Sequence, residues 1–203
     1  GFNAGELVRL QAVSLQTTGG QITRILENSP SLGGKILEGL ALAGVTQGSS
    51  SFEIFMNTAQ AATDSGDSIN FARELANPTP TATNPSPIQT PILATEIYGD
   101  GSDRDTQDQT IPVNTDSVDG AYLAQRGTAL NSPLGGTEPL LRTLDLDNLT
   151  TPGLITDADG IEGVVRFNTG SHTTIITVDN LTVFTEMATQ LASFFSSNGL
   201  QVA

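Results

Sequence analysis

The chain of 203 residues lacks cysteine and tryptophan, and His172 is its only histidine. Without cysteine there can be no disulfide, no thiolate nucleophile and no cysteine-bound zinc. One imidazole cannot build a metal site of several histidines. Because imidazole has an ordinary pKa near neutral pH, acid–base chemistry by the usual route would depend on His172.

Basic residues are also scarce. Eight lysines and arginines stand against 22 aspartates and glutamates, which gives a formal charge of −14. Such a chain repels phosphate backbones and anionic membrane surfaces. We therefore expect no nucleic acid among its partners.

A long apolar run is missing as well. None approaches the roughly 20 residues that a membrane-spanning helix needs. No basic segment precedes an apolar one at the amino terminus, so no signal peptide is visible. The chain begins at Gly1 without methionine, which indicates a processed or truncated polypeptide.

Apolar spacing predicts helices in the first part of the chain. The expected elements are a short helical pattern over 1–27 and helices over 32–44, 50–63 and 68–76, with Ser50 or Ser51 capping the second helix and Asp67 the third. We interpret residues 1–76 as a helical, lid-like segment. Some of its apolar side chains could line an acyl-chain pocket, although core packing is the favoured interpretation: Leu37, Leu40, Leu42, Phe52, Phe55 and Met56.

The stretch 77–91 contains five prolines, a density that excludes regular elements, and we interpret it as a connector. After it, strands alternate with helical patterns. Strands are predicted over 91–98 and 161–167, and helical stretches over 116–131, 140–146 and 181–197. One face of the last helix is formed by Val183, Met187, Leu191, Phe194 and Phe195, and Asn198-Gly199 can end it.

This alternation favours parallel strands joined by crossover helices, so the predicted fold class is α/β. A parallel sheet normally has both faces covered, and two strands are too few for a free-standing one. The chain is therefore expected to be part of a larger α/β domain.

Polar loops follow both predicted strands. The second loop carries His172 directly after Gly170-Ser171. The first loop carries four aspartates: Asp100, Asp103, Asp105 and Asp108. Reactive groups in α/β proteins collect at the carboxyl ends of parallel strands, so an aspartate of the first loop is expected to meet His172. Such a carboxylate would hold the imidazole tautomer while the histidine activates a serine.

Two acidic segments are weighed as calcium-binding loops. The loop 100–108 has several carboxylates but lacks the twelve-residue pattern with a terminal glutamate, so a solvated acidic loop is favoured. The segment Asp157-Ala-Asp159-Gly160 fits a turn with Gly160 at positive φ better than a calcium loop.

The strand, loop and helix pattern resembles the carboxyl-terminal part of an α/β-hydrolase, in which serine, acid and histidine follow one another along the chain. The acid motif is matched by Gly99 and Asp108-Gln-Thr-Ile-Pro112, and the histidine motif by Gly170-Ser-His172 before the final helix. The spacing to Pro112 in this motif favours Asp108 as the partner of His172, and Asp105 is the second candidate. The stretches 59–72, 133–140 and 170–172 are similar to bacterial extracellular lipases of the virulence-factor lipase type.

The resemblance implies the late strands and helices of an α/β-hydrolase core over 92–203, incomplete on its own. It also implies a serine lipase or esterase that needs no cofactor, in which Asp108 orients His172. The motif Gly-x-Ser-x-Gly occurs nowhere in the sequence. We therefore expect an amino-terminal fragment of the same enzyme to supply the serine, the oxyanion-hole amides and the central strands.

The expected substrates are lipids or other esters, and the expected location is secreted or at the surface of a bacterium. A peptidase or thioesterase on the same fold would keep the residues and change the substrate. The alternative function is a non-catalytic acidic binding or structural module, in which His172 has no role.

Overall fold

The computed structural model describes residues 10–82, 85, 89–100, 104–113, 135–150 and 153–203. The helix predicted over 116–131 lies outside the described residues. Within those ranges, no helix combines the length and the apolar character needed to cross a membrane.

A four-stranded parallel sheet lies at the centre of the fold. Its strands are β1 (Val13–Gln16), β2 (Ile92–Ile97), β3 (Asp147–Asn148) and β5 (Glu162–Phe167). They lie in the order β1-β2-β5-β3, and each neighbouring pair is parallel. Every residue of β2 is buried, as in a strand that is covered on both faces. The predicted α/β class with parallel strands is confirmed.

The helical pattern predicted over 1–27 is wrong from Val13 to Gln16, which forms β1. This strand pairs in register with the first four residues of β2. Its sequence Val-Ser-Leu-Gln has the period of two that strands require, but four residues are too few to outweigh the helical spacing around them. The segment 1–76 is therefore not wholly helical, because it contributes a strand to the same sheet as the segment 92–203.

The other elements follow the predictions more closely. The helices are α1 (Ile22–Asn28), α2 (Gly33–Leu42), α3 (Ser50–Thr63), α4 (Ile69–Ala76), α5 (Thr137–Thr143), α6 (Thr174–Thr177) and α7 (Leu181–Ser196). The helices predicted over 32–44, 50–63, 68–76 and 181–197 are confirmed to within two residues. The cap of α3 is Ser49, whose Oγ accepts the N–H of Phe52 at 3.2 Å, so the expectation of Ser50 or Ser51 is wrong by one or two residues.

Asp67 holds the first amides of two helices. Its Oδ1 accepts the N–H of Gln21 at 3.0 Å and that of Ile69 at 3.3 Å. Its Oδ2 accepts the N–H of Ile22 at 2.8 Å and an N–H of the Gln60 amide at 2.7 Å. Burial raises the pKa of Asp67, but these hydrogen bonds outweigh it and lower the pKa overall. Asp67 lies one residue before the N-cap position of α4, which is Ser68, but its carboxylate accepts the first N–H of α4 and also the first N–H of α1.

Helices cover both faces of the sheet. On one face α7 packs against β2 and β5 through a core of Leu93, Ile97, Val165, Phe167, Val183, Met187 and Phe194. On the other face α4 and α5 pack through Ala72, Ala76, Ile92, Ala94, Leu140, Leu141, Leu144 and Val164. Alternation along β2 sends neighbouring side chains to opposite cores, since successive residues of a strand point to opposite faces.

The predicted apolar face of α7 is correct at Val183, Met187 and Phe194, which are buried. It is wrong at Phe195, which is 51% exposed, and Gln190 is buried instead. The helix ends as predicted at Asn198-Gly199, where both residues have positive φ. The chain then forms β6 (Gln201–Val202), which pairs antiparallel with β4 (Ile155–Thr156).

The proline-rich connector contains no helix or strand in its described residues, which are 77–82, 85 and 89–91. The strand predicted over 91–98 begins immediately afterwards as β2. The helix predicted over 140–146 begins three residues earlier than expected, at Thr137, as α5.

One buried ion cluster lies beside the end of β2. Arg166 of β5 donates from Nε to Glu96 Oε2 at 2.9 Å and from Nη2 to Glu138 Oε1 at 2.7 Å. Two carboxyl groups therefore share one guanidinium, and Glu96 has no exposed surface. Burial, followed by the negative charge of Glu138, raises the pKa of Glu96 to about 8.

We expect Glu96→Gln to remove part of the pH dependence of stability. A carboxyl whose pKa is raised by folding stabilises the fold in its protonated form. That contribution is complete below the ordinary value of 4.5 and is lost as the pH rises through about 8. In urea titrations across this range, the free energy of unfolding of the variant should fall less with rising pH than that of the wild type. Glu38→Gln, at an exposed position of α2, is the control, and equal slopes for all three proteins would contradict the raised pKa.

Candidate active site

Three polar segments meet at the end of the sheet where its parallel strands finish. Because β1, β2 and β5 are parallel, their carboxyl ends lie together. Thr17 follows β1, Asp108 follows β2 in the chain, and His172 follows β5. The loop after β2 returns to the sheet where the N–H of Asp108 donates to the carbonyl of Ile97 at 3.0 Å.

The Asp108 carboxylate is buried and fixed in orientation. It is 2% exposed, and its Oδ1 accepts the N–H of Thr110 at 2.7 Å and that of Ile111 at 2.9 Å. Its Oδ2 lies 2.9 Å from Nδ1 of His172. Each oxygen therefore has a donor, which is what a buried charge needs to be tolerated. The predicted meeting of Asp108 and His172 is present in the structure.

The turn before His172 is built for close packing. Gly170 has φ of 129°, and a Cβ there would lie 3.2 Å from Oγ1 of Thr174. The N–H of Ser171 donates to that Oγ1 at 2.7 Å, and the Thr174 hydroxyl donates to Asp179 Oδ1 at 2.7 Å. These contacts hold the loop that presents the imidazole.

The environment of His172 suits a general base. The hydrogen bond to Asp108 raises the pKa of His172, and burial lowers it by less, so the pKa is raised overall. With its Nδ1–H donated to Asp108, the neutral ring has Nε2 as its basic nitrogen. The side chain is 32% exposed, so the imidazole is open to solvent on one side. Such a ring can take a proton from a hydroxyl and return it to a leaving group.

The alternative acid, Asp105, does not take this place. It is exposed in the 3₁₀ turn Arg104–Thr106, while Asp108 makes the contact with the imidazole. Asp100 is also exposed, and Asp103 lies outside the described residues.

The described acidic residues form no metal site. No group of three or more histidine, aspartate or glutamate side chains is placed to hold a metal ion in the described part of the chain. At the second acidic segment, Asp157 Oδ1 accepts the N–H of Asp159 at 2.9 Å and Gly160 has φ of 113°. The predicted turn at that position is confirmed.

The apolar residues predicted as pocket candidates behave differently from one another. Phe52 and Met56 are buried in the interior, as the core interpretation expects, whereas Leu42 is 86% and Phe55 43% exposed. An apolar cavity of about 250 Å³ lies elsewhere, between β1, α4 and α5. It is lined by Leu15, Ser68, Phe71, Ala72, Leu75, Leu140 and Leu144. The Ser68 hydroxyl donates to the carbonyl of Gly19 at 2.7 Å, so the cavity adjoins the turn after β1.

Thr17 was not among the predicted site residues. It is 5% exposed, and its Oγ1 donates to the main-chain carbonyl of His172 at 3.0 Å. Its φ of 45° is rare for a β-branched residue and costs on the order of 1–3 kcal/mol. The available signal was Thr-Thr-Gly-Gly at 17–20, between a short alternating segment and a helical pattern. This segment does not match Gly-x-Ser-x-Gly, so a search for that motif does not find it.

The pKa of His172 can be measured directly, because its ring gives the only histidine resonances in the chain. We expect an NMR titration of the folded protein to give a pKa above the ordinary value of 6.5. Asp108→Asn should lower this pKa, since it removes the charge and the hydrogen bond that raise it. Asp105→Asn, an exposed neighbour in the same loop, should leave it unchanged. A wild-type pKa at or below the ordinary value would contradict the pairing.

No protein-family model, no curated protein and no solved structure matches this chain significantly. The resemblance to α/β-hydrolases therefore stays a prediction from motifs. The case for an active site depends on the contacts among Thr17, Asp108 and His172.

Proposed function

We propose that the protein hydrolyses carboxylic esters, with His172 as general base and Asp108 as the residue that orients it. The observation that carries this proposal is the 2.9 Å contact between His172 Nδ1 and a buried, doubly amide-bonded carboxylate. A surface histidine with no role has no need of such a partner. The contact lies at the carboxyl ends of parallel strands, where active sites of α/β proteins lie.

In this mechanism Nε2 of His172 removes the proton of a hydroxyl nucleophile as the hydroxyl oxygen attacks the ester carbonyl carbon. Asp108 stabilises the imidazolium and remains ionised. The imidazolium then protonates the departing alcohol. Water hydrolyses the acyl-enzyme by the same steps, with His172 again as base. The chemistry needs no cofactor, and the proposal does not depend on which residue supplies the hydroxyl.

The finer fold in this proposal is the carboxyl-terminal part of an α/β-hydrolase core. Within the described residues β1 forms one edge of the sheet, and none of its four residues is exposed. An edge strand leaves a row of backbone donors and acceptors unpaired on its outer side. This edge suits further central strands from an amino-terminal fragment of the same enzyme. The family resemblance also assigns the serine and the oxyanion-hole amides to that fragment.

Lipids and other esters with apolar acyl groups are the proposed substrates. The cavity between β1, α4 and α5 supports this class, because its lining is almost entirely apolar and it adjoins the turn after β1. A secreted or bacterial cell-surface location remains part of the proposal. The 22 acidic residues outnumber the 8 basic ones, and the resulting negative charge is compatible with this location and favours solubility.

The test measures hydrolysis of short-chain and long-chain p-nitrophenyl esters by the complete protein. His172→Ala should reduce kcat by at least about 10³-fold, and Asp108→Asn by about 10²–10⁴-fold, because both remove a working general base. Asp105→Asn is the matched control and should keep wild-type turnover. Circular dichroism should show that all variants remain folded.

Unchanged turnover in folded His172→Ala would remove the proposed function. The non-catalytic acidic module would then be the better interpretation. Cleavage of thioesters or peptides but not of oxygen esters, still dependent on His172, would keep the site and change the substrate.

A further inference from the structure

His172 is bonded to the rest of the fold through its side chain and through its main chain. Its Nδ1 lies 2.9 Å from Oδ2 of Asp108, and its main-chain oxygen accepts the Thr17 hydroxyl at 3.0 Å. From these two bonds to one residue we propose that Thr17 is a positioning residue, which holds the backbone of His172 so that Nε2 faces the reacting hydroxyl. The proposal rests on the ester-hydrolase function above, and it gives Thr17 no part in the covalent chemistry.

The donor of this hydrogen bond is itself fixed to the sheet. Thr17 is 5% exposed, and its N–H donates to the carbonyl of Thr95 in β2 at 3.0 Å. The Thr95 hydroxyl donates to Oε1 of Gln16, the last residue of β1, at 2.8 Å. The Thr17 hydroxyl is therefore held in place by both β1 and β2.

The backbone conformation of Thr17 is strained. Its φ of 45° is rare for a β-branched residue, and glycine would adopt it without strain. Strain of this kind persists only where the surroundings impose it, and it is concentrated at functional sites. A threonine kept at such a position, with its hydroxyl bonded to the histidine backbone, is what a positioning role predicts.

Other hydrogen bonds stabilise the histidine loop internally. The hydroxyls of Ser171 and Thr174 both donate to the carboxylate of Asp179, the second at 2.7 Å to Oδ1. These donors flank His172 in the chain, so the bonds set the shape of the loop around the imidazole. The Thr17 hydroxyl adds a bond from this loop to the residue that follows β1.

The turn that contains Thr17 also packs on the loop that contains the acid. A Cβ on Gly19 would lie 2.6 Å from Cγ2 of Ile111, whose N–H donates to Asp108. The turn after β1 therefore contacts the loop of the acid and, through Thr17, the loop of the base. A shift of this turn would change the alignment of Asp108 and His172.

The alignment of a general base has a large effect on its rate, since a displacement of about 1 Å can cost about 10²-fold. Without the Thr17 hydroxyl, the backbone of His172 gains freedom and the imidazole bonds Asp108 for a smaller part of the time. The alternative is that the hydroxyl only satisfies a buried carbonyl. Its loss would then lower the free energy of unfolding and leave the imidazole unchanged.

The test compares variants of the complete protein by NMR titration of His172 and by hydrolysis of p-nitrophenyl esters. Thr17→Val keeps the branched shape and removes the hydroxyl. We expect it to lower the pKa of His172 towards the ordinary value of 6.5 and to reduce kcat by about 10–10²-fold, with KM within about twofold. Thr17→Ser keeps the hydroxyl and should restore both the pKa and kcat.

Thr23→Val is the matched control, because Thr23 is also 5% exposed and its hydroxyl donates to Gln60 Oε1 at 2.9 Å in another part of the fold. It should lower stability and leave the pKa of His172 and kcat as in the wild type. Thr17→Gly removes the hydroxyl and relieves the strain, so it provides the same comparison if Thr17→Val does not fold.

A wild-type pKa and kcat in folded Thr17→Val or Thr17→Gly would overturn the positioning role and leave the hydroxyl a structural one. Equal changes in Thr23→Val would overturn it too, because the effect would then follow from lost stability alone. Absence of ester hydrolysis in the wild type, with the pKa of His172 still lowered in Thr17→Val, would overturn the proposed function and keep the positioning of the ring.

Discussion

The parallel pairing of β1, β2 and β5 is the constraint on which the rest of the structure depends. Parallel strands require crossover connections, and each connection takes the chain back to the end of the sheet at which the next strand begins. The carboxyl ends of all three strands therefore face one side. Residues far apart in sequence, such as Asp108 and His172, become neighbours without any long loop having to reach across the molecule.

Burial determines how well the site is fixed. Burying a carboxylate costs less when its oxygens accept hydrogen bonds, and two backbone amides and the imidazole bond the oxygens of Asp108. The acid cannot rotate without breaking several hydrogen bonds. The histidine is less enclosed than its partner, so rigidity is placed in the acid and accessibility in the base.

The two clear strand signals predicted that an aspartate of the first loop would meet His172, and the family resemblance then selected Asp108 among the four aspartates of that loop. The helices α3 and α7 were also predictable, since their apolar residues keep the helical period over several turns. β1 was not, because four residues show too little alternation. Without β1, the position of Thr17 had no structural context. The exposure of Phe195 depends on whether another element packs there, which no local pattern reveals.

Asp67 couples two helices that are distant in sequence. Because one carboxylate bonds the first amides of α1 and α4, neither helix can fray at its start without exposing a shared anion. Folding lowers the pKa of Asp67, so its stabilisation is present above the ordinary pKa of an aspartate and is lost as the pH falls through the lowered value. In strong acid both helix starts should therefore loosen in one cooperative event, and the turn that carries Thr17 would lose its support together with them.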